Sequence, residues 1–189
     1  MEKDFTGIDY LAQGTPRQRH CHRVLSSLRL FERLEAYGPV LAGTFPIGID
    51  VPGSDLDIVC QVEDFEAFRR LLECHFGSRE GFEVDYRADK SVLLCRFLAD
   101  DLPVEVYASP QDPRRGNAFR HIQVEARLLA LFGPEFRRTV VCRKERGMKT
   151  EPAFADVLDL PGDPYRAVLE LAGWTDADLL GLYPPNPGR

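Results

Sequence analysis

Leu41-Ala-Gly-Thr-Phe-Pro-Ile-Gly-Ile-Asp-Val-Pro-Gly-Ser-Asp-Leu-Asp-Ile58 decides how the rest of the chain is read. A short apolar run ending at Ala42 reads as a strand, and Gly43-Thr44 turns it. A second apolar run follows and carries two carboxylates, Asp55 and Asp57, with Leu56 between them. Residues two apart in a strand project from the same face, so the two acids stand side by side. Like charges so placed repel, and burying them unpaired is costly. A divalent cation removes both objections. Hard oxygen ligands select Mg²⁺ or Mn²⁺ over thiophilic metals.

A third carboxylate fits the same arrangement. Leu102-Pro-Val-Glu-Val-Tyr-Ala108 sets Glu105 between Val104 and Val106, so in a strand it faces away from both valines. Paired beside the Asp55/Asp57 strand, it brings three carboxylates to one point. That is the ligand set of a two-metal phosphoryl-transfer site, whose ions sit about 3.5–4 Å apart. The plainer reading is that acids alternate out to solvent along edge strands. An Asp-x-Asp pair alone does not exclude it; the turn upstream and the third acid downstream carry the metal reading.

Gly43-Thr44, the residues up to Ser54, then Asp55-Leu-Asp-Ile, then Val104-Glu-Val resembles the signature of the nucleotidyltransferase superfamily, which includes DNA polymerase beta and the aminoglycoside nucleotidyltransferases. Many small members read Gly-Ser-x-Ala-x-Gly, a short spacer, then Ser-Asp-h-Asp-h, where h is apolar. Gly43, Thr44, Gly48, Ser54, Asp55 and Asp57 fall on that frame without a gap. Thr44 replaces the usual serine and keeps the hydroxyl. Pro46 replaces alanine, and Phe45 and Ile47 stand where many small members carry arginines. The wording Gly43-Thr-Phe-Pro-Ile-Gly-Ile-Asp50, Asn117-Ala-Phe-Arg-His121 and Lys149-Thr-Glu-Pro-Ala-Phe-Ala155 also resembles a bacterial domain-of-unknown-function family (DUF4269) within this superfamily, over roughly Tyr10 to Leu171.

The resemblance implies an α/β (α+β) nucleotidyltransferase-like fold, a mixed sheet of about five strands flanked by helices with a C-terminal helical extension. It implies metal-dependent transfer of a nucleotidyl group from a nucleoside triphosphate to an acceptor. Asp55 and Asp57 would hold Mg²⁺ or Mn²⁺, and Glu105 would complete the metal site and accept the acceptor's proton. Gly43 and Thr44 would hold the β- and γ-phosphates. Glycine allows close backbone approach, and a hydroxyl with free amide N–H groups can hold anionic oxygens. Ser54 either contacts the same phosphates or caps the turn. The rival class is an inactive module of this fold that binds a nucleotide or a partner protein; the apolar Phe45 and Ile47 favour it.

The chain's 189 residues suffice for one domain with a sizeable core, or a small domain plus a helical extension. A net charge of −6 argues against a general grip on extended nucleic acid and for a small-molecule or protein acceptor. The 5 cysteines are odd in number and scattered, without Cys-x-x-Cys, which reads as reduced thiols of a cytoplasmic protein. The N-terminus carries no signal pattern and no apolar run reaches membrane-spanning length, so no membrane partner is expected. His20-Cys21-His22 point three ways on a helix and cannot chelate one ion, so no zinc is expected from the histidines and cysteines.

In chain order, residues 1–14 are polar and expected to be flexible. Thr15 caps a helix with Pro16 at its first position, and the helix is expected to end near Gly38. Asp64 caps a second helix through Leu72. Residues 82–87, 91–98 and 103–108 read as three strands joined by short polar turns, hence antiparallel neighbours. Segment 109–116 is a linker by composition. Helices follow over 117–132 and from Gly133-Pro134 to about Gly147, with further starts at Thr150, Asp163-Pro164 and Thr175. The expected organisation is an α/β core over 15–109, a helical extension over 110–183 closing the cleft, and a disordered tail over 184–189. Arg120 and His121 open the first helix of the extension, and Lys149 sits between helices. A cation in a first turn opposes the helix dipole, which makes Arg120 and His121 candidate triphosphate contacts, and Lys149, with Arg143, Lys144 and Arg146 nearby, is a third.

Overall fold

Alternation of apolar and polar residues builds a sheet with one dry face. Leu56, Ile58 and Cys60 are buried and alternate with the more accessible Asp57, Val59 and Gln61 along β2 (Leu56–Gln61). Val104, Val106 and Ala108 do the same along β5 (Leu102–Ser109), as do Cys95 and Phe97 around Arg96 in β4 (Val92–Ala99). With β1 (Val40–Ala42) and β3 (Glu83–Arg87), the computed structural model, which describes residues 5–183, forms a five-stranded mixed sheet of order β1-β2-β5-β4-β3. β2 and β5 run parallel and the other pairs antiparallel. Parallel neighbours need a crossover. Here α3 (Phe65–Phe76) and the β3–β4 hairpin supply it.

Helices cover the dry face. α1 (Pro16–Ser27) starts in a capping box: Gln18 donates its backbone N–H to Thr15 Oγ1, and Thr15 N–H donates to Gln18 Oε1. The helix stops well before Gly38. Arg29 is left-handed at φ 50°, and a short α2 (Leu30–Arg33) and a 3₁₀ turn (Glu35–Tyr37) follow. On one continuous helix Leu30 and Leu34 would share a face and Leu28 would point to the opposite side. The kink at Arg29 lets all three enter the core. α3 begins at its Asp64 cap and buries Phe68, Leu72 and Phe76 along one face. It runs one turn beyond Leu72 because Phe76 stacks on Phe97, their ring centroids 5.0 Å apart.

Segment 1–14, expected to be flexible, holds ordered structure in its described part. Asp9–Gln13 forms a 3₁₀ turn, Leu11 joins the main core, and Phe5 is buried edge-on against Tyr10. Two apolar side chains in a polar stretch suffice to anchor it. The tail over 184–189 lies outside the described residues.

The chain forms two compact units. One takes in the described chain up to Gly48 and then Gly53–Phe119; the other takes in Ile49–Pro52 and the described chain from Arg120. Residues 110–119 therefore stay with the sheet. The second unit is helical: α4 (Asn117–Glu145, entering the unit at Arg120), α5 (Thr150–Val157), α6 (Pro164–Glu170) and α7 (Asp176–Leu182). Gly133 (φ 77°, ψ −164°) breaks α4 ahead of Pro134, where the sequence predicts a new helix. Phe132, Phe136, Phe154 and Tyr183 pack edge to face in its core. Arg143 pairs with Asp156 at 2.6 Å and Arg127 with Asp176 at its surface. No described helix is long and apolar enough to cross a membrane.

Candidate active site

Parallel pairing puts Asp57 of β2 opposite Glu105 of β5. Residues paired across neighbouring strands share a face, and strands stand about 4.8 Å apart, so the two carboxylates rise side by side. They are half-buried on the face away from the core. Asp55 lies just before β2, is exposed, and lines with Glu105 a cleft of about 250 Å³. Arg96, Phe97, Pro103 and Gly81 complete that cleft.

Gly43 follows β1, which pairs with β2 so that Ala42 sits opposite Asp57. It adopts φ 71°, and a Cβ built there would collide with Asp57 Oδ2. Two requirements thus fall on one residue, a left-handed backbone and room for a carboxylate. Thr44, half-buried, continues the turn. Phe45 and Pro46 next to it are buried, and Gly48 N–H donates to Phe45 O at 3.2 Å. Proline second and glycine fourth suit a type I turn. Gln18, itself 4% exposed, holds this turn by donating from Nε2 to Phe45 O at 2.7 Å and to Pro46 O at 3.2 Å. Phe45 is a core side chain, so its place in the frame is a packing position. Ser54 is half-buried directly before Asp55.

A cation stands among the three acids although none lies in their immediate sequence neighbourhoods. Arg96 of β4 donates from Nε to Glu105 Oε2 at 2.7 Å, and Nη2 lies 2.6 Å from the same oxygen. A signal for it existed. A two-residue turn at Asp100-Asp101 makes every opposed pair of the β4–β5 hairpin symmetric about that turn, which puts Arg96 across from Glu105. The row Ala42, Asp57, Glu105, Arg96, Glu83 therefore crosses the whole sheet.

The remaining sequence candidates lie in the second unit. Arg120 and Lys149 are exposed, Lys149 as the residue preceding α5. His121 is buried, and its Nδ1 faces Glu125, one turn further along α4. Glu125 was not singled out in the sequence, although an i, i+4 His/Glu pair shares a helix face.

Asp57 and Glu105 stand in register with Asp55 just before β2, and carboxylate oxygens are the donors that suit Mg²⁺ or Mn²⁺. The mixed sheet, its flanking helices and the Gly43 turn before paired acids define a nucleotidyltransferase-like fold. Cid1, described as an RNA terminal uridylyl transferase, shares it with a TM-score of 0.55 at 13% identity, over 84% of this chain and 54% of that one. The Cid1 poly(U) polymerase with Mg and 3′-dATP bound gives 0.50 at 16%, over 84% and 54%. A cytoplasmic RNA terminal U-transferase gives 0.51 at 15%, over 76% and 46%. This chain spans about half the length of each. Within that fold the chain belongs to the family described as domain of unknown function DUF4269, whose model matches residues 23–171. No curated protein sequence matches it.

Proposed function

We propose that this protein is a metal-dependent nucleotidyltransferase, moving a nucleotidyl group from a nucleoside triphosphate to an acceptor. The observation that carries the reading is the in-register Asp57/Glu105 pair with the Gly43 backbone against the Asp57 carboxylate. The likeness to Cid1 with Mg and 3′-dATP bound supports it at the level of fold. Asp55, Asp57 and Glu105 would hold Mg²⁺, which when bound stabilises charge on the attacking and leaving oxygens. Gly43 offers a backbone with no side chain in the way, and Thr44 a hydroxyl beside it; together they would seat the leaving phosphates. Glu105 would take the acceptor's proton. Arg96 holds Glu105 Oε2 and so orients that carboxylate. Binding in this fixed frame lowers the barrier chiefly by positioning. Ser54 would be a further phosphate donor. The net charge of −6 favours a small-molecule or protein acceptor over a long nucleic acid.

An inactive binding module is the second reading, favoured by Arg96 already occupying Glu105 and by Phe45 serving the core. Purified protein with Mg²⁺, each α-labelled triphosphate and a fractionated lysate as acceptor source separates the two. Transfer of label with stoichiometric pyrophosphate release, lost in Asp57→Asn, supports the enzyme, and the labelled fraction identifies the acceptor class. Saturable triphosphate binding without pyrophosphate release supports the module.

A further inference from the structure

A buried polar atom without a partner is rare and calls for an explanation by strain, water or an ion. Two such atoms face each other in the helical unit. His121 Nδ1 and Glu125 Oε1 are both buried without a hydrogen-bond partner and stand 4.0 Å apart. They occupy successive turns of α4. Glu151, in the first turn of α5, brings a third ligand: one ligand atom from each of His121, Glu125 and Glu151 lies within 4.8 Å of the others. Beside them are Lys144, buried and donating to Thr150 Oγ1 at 2.8 Å, and Tyr165, whose ring stands nearly perpendicular to the imidazole with centroids 6.4 Å apart. Lys144 brings one positive charge against two carboxylates.

The electrostatics match a missing positive charge. Burial, and then the neighbouring Glu151, push the Glu125 carboxyl well above its ordinary range, with Lys144 opposing. Burial pulls His121 below its ordinary value, with Glu151 opposing and Arg120 adding to the shift. An imidazole ligates a metal through a neutral nitrogen, and a cation held between Glu125 and Glu151 would favour their ionised forms. Nitrogen with two carboxylate oxygens suits zinc and its neighbours better than Mg²⁺ or Ca²⁺. Ligands of a tetrahedral ion stand roughly 3.4 Å apart, close enough to the observed spacing for rotamer adjustment alone to complete the site.

We infer that His121, Glu125 and Glu151 bind one divalent transition-metal ion, Zn²⁺ or a chemical neighbour, that ties α4 to α5. The site uses no residue of the Asp55/Asp57/Glu105 cluster and does not depend on the function proposed for it. The test uses the full chain carrying Asp57→Asn, so that the first unit's carboxylate site is disabled, after stripping with chelator. Zn²⁺ titrated by calorimetry should bind at one equivalent and raise Tm by about 5–10 °C at a hundredfold excess over Kd. Co²⁺ should give the visible bands of a four-coordinate nitrogen/oxygen site without thiolate charge transfer. Adding Glu125→Gln or Glu151→Gln should weaken binding at least tenfold, a value in the range for losing a supporting or direct ligand interaction. If Glu125→Gln does not fold, the half-buried Glu151→Gln decides. Undiminished Zn²⁺ affinity in these variants overturns the inference. So does a stripped protein that takes up no Zn²⁺ while Glu125→Gln melts higher, the behaviour of a buried acid bridged by water.

Discussion

Gly43→Ala tests whether the turn exists for the carboxylate beside it. At φ 71° an alanine pays the left-handed penalty of about 1–2 kcal/mol. Gly38, at φ 55°, lies in the same region, and a Cβ there meets nothing within 4 Å, so Gly38→Ala reports the backbone cost alone. At Gly43 the added methyl also lands on Asp57 Oδ2, and the carboxylate must turn aside. Forcing a side chain off its rotamer costs a further ~0.5–1.5 kcal/mol. At ~2–4 °C per kcal/mol for a chain of this size, Gly38→Ala should lower Tm by about 2–8 °C and Gly43→Ala by about 3–14 °C. Those ranges overlap, so the deciding readout is the upshift with Mg²⁺-triphosphate. At a hundredfold excess over Kd the ligand stabilises the folded protein by ~2.7 kcal/mol, and a hundredfold loss of affinity leaves only about 0.4 kcal/mol. Thermal melts of wild type and both variants, with and without Mg²⁺-triphosphate, should show the upshift kept in Gly38→Ala and nearly abolished in Gly43→Ala. An equal upshift in both variants would refute the link between the Gly43 backbone and the Asp57 carboxylate.

Arg96→Gln removes the cation paired with Glu105. Side-chain exposures of 48% and 26% mean solvent screens the pair, so apo stability should fall by only ~0.5–1 kcal/mol. Mg²⁺ no longer competes with the guanidinium, and calorimetric titration should find it bound about 2–5-fold more tightly; unchanged Mg²⁺ affinity would remove Glu105 from the ligand set. Burial raises the Cys60 and Cys95 thiols to about 12, so at pH 8 only about one molecule in ten thousand carries either thiolate. Thiol alkylation at pH 8, mapped by mass spectrometry, should therefore modify the exposed Cys74 first and leave Cys60 and Cys95 intact. Rapid labelling of either in folded protein would mean that the sheet opens locally.

Much of the candidate site was legible because its parts are local. Asp55 and Asp57 are two residues apart, the Gly43-Thr44 turn precedes them on the same stretch, and the apolar flanks of Glu105 mark a strand. Alternation also places β2, β4 and β5 close to their observed spans. Two misreadings, of the first helix and of the N-terminal stretch, share a cause, which is that distant packing chose among local options. The helix after Pro16 breaks at Arg29 because Leu28, Leu30 and Leu34 all seek one core. The polar N-terminal stretch is ordered because Leu11 reaches that core. Phe45, in the frame of a phosphate-binding turn, faces inward under the hold of Gln18.

By itself the sequence predicted the strand–turn–strand, a same-face placement for Asp55 and Asp57 and a hard-oxygen donor set. Those follow from a period of two along the backbone and from ligand chemistry, and neither needs a partner strand. Only the tertiary structure decided that Asp57 and Glu105 sit in register, because β2 and β5 are separated by α3 and a hairpin whose crossover sets their alignment. It alone put Arg96 on Glu105 and gathered His121, Glu125 and Glu151. Charge pairing and metal-ligand geometry depend on distances of a few ångströms between residues far apart along the chain, and those distances exist only once the core has closed.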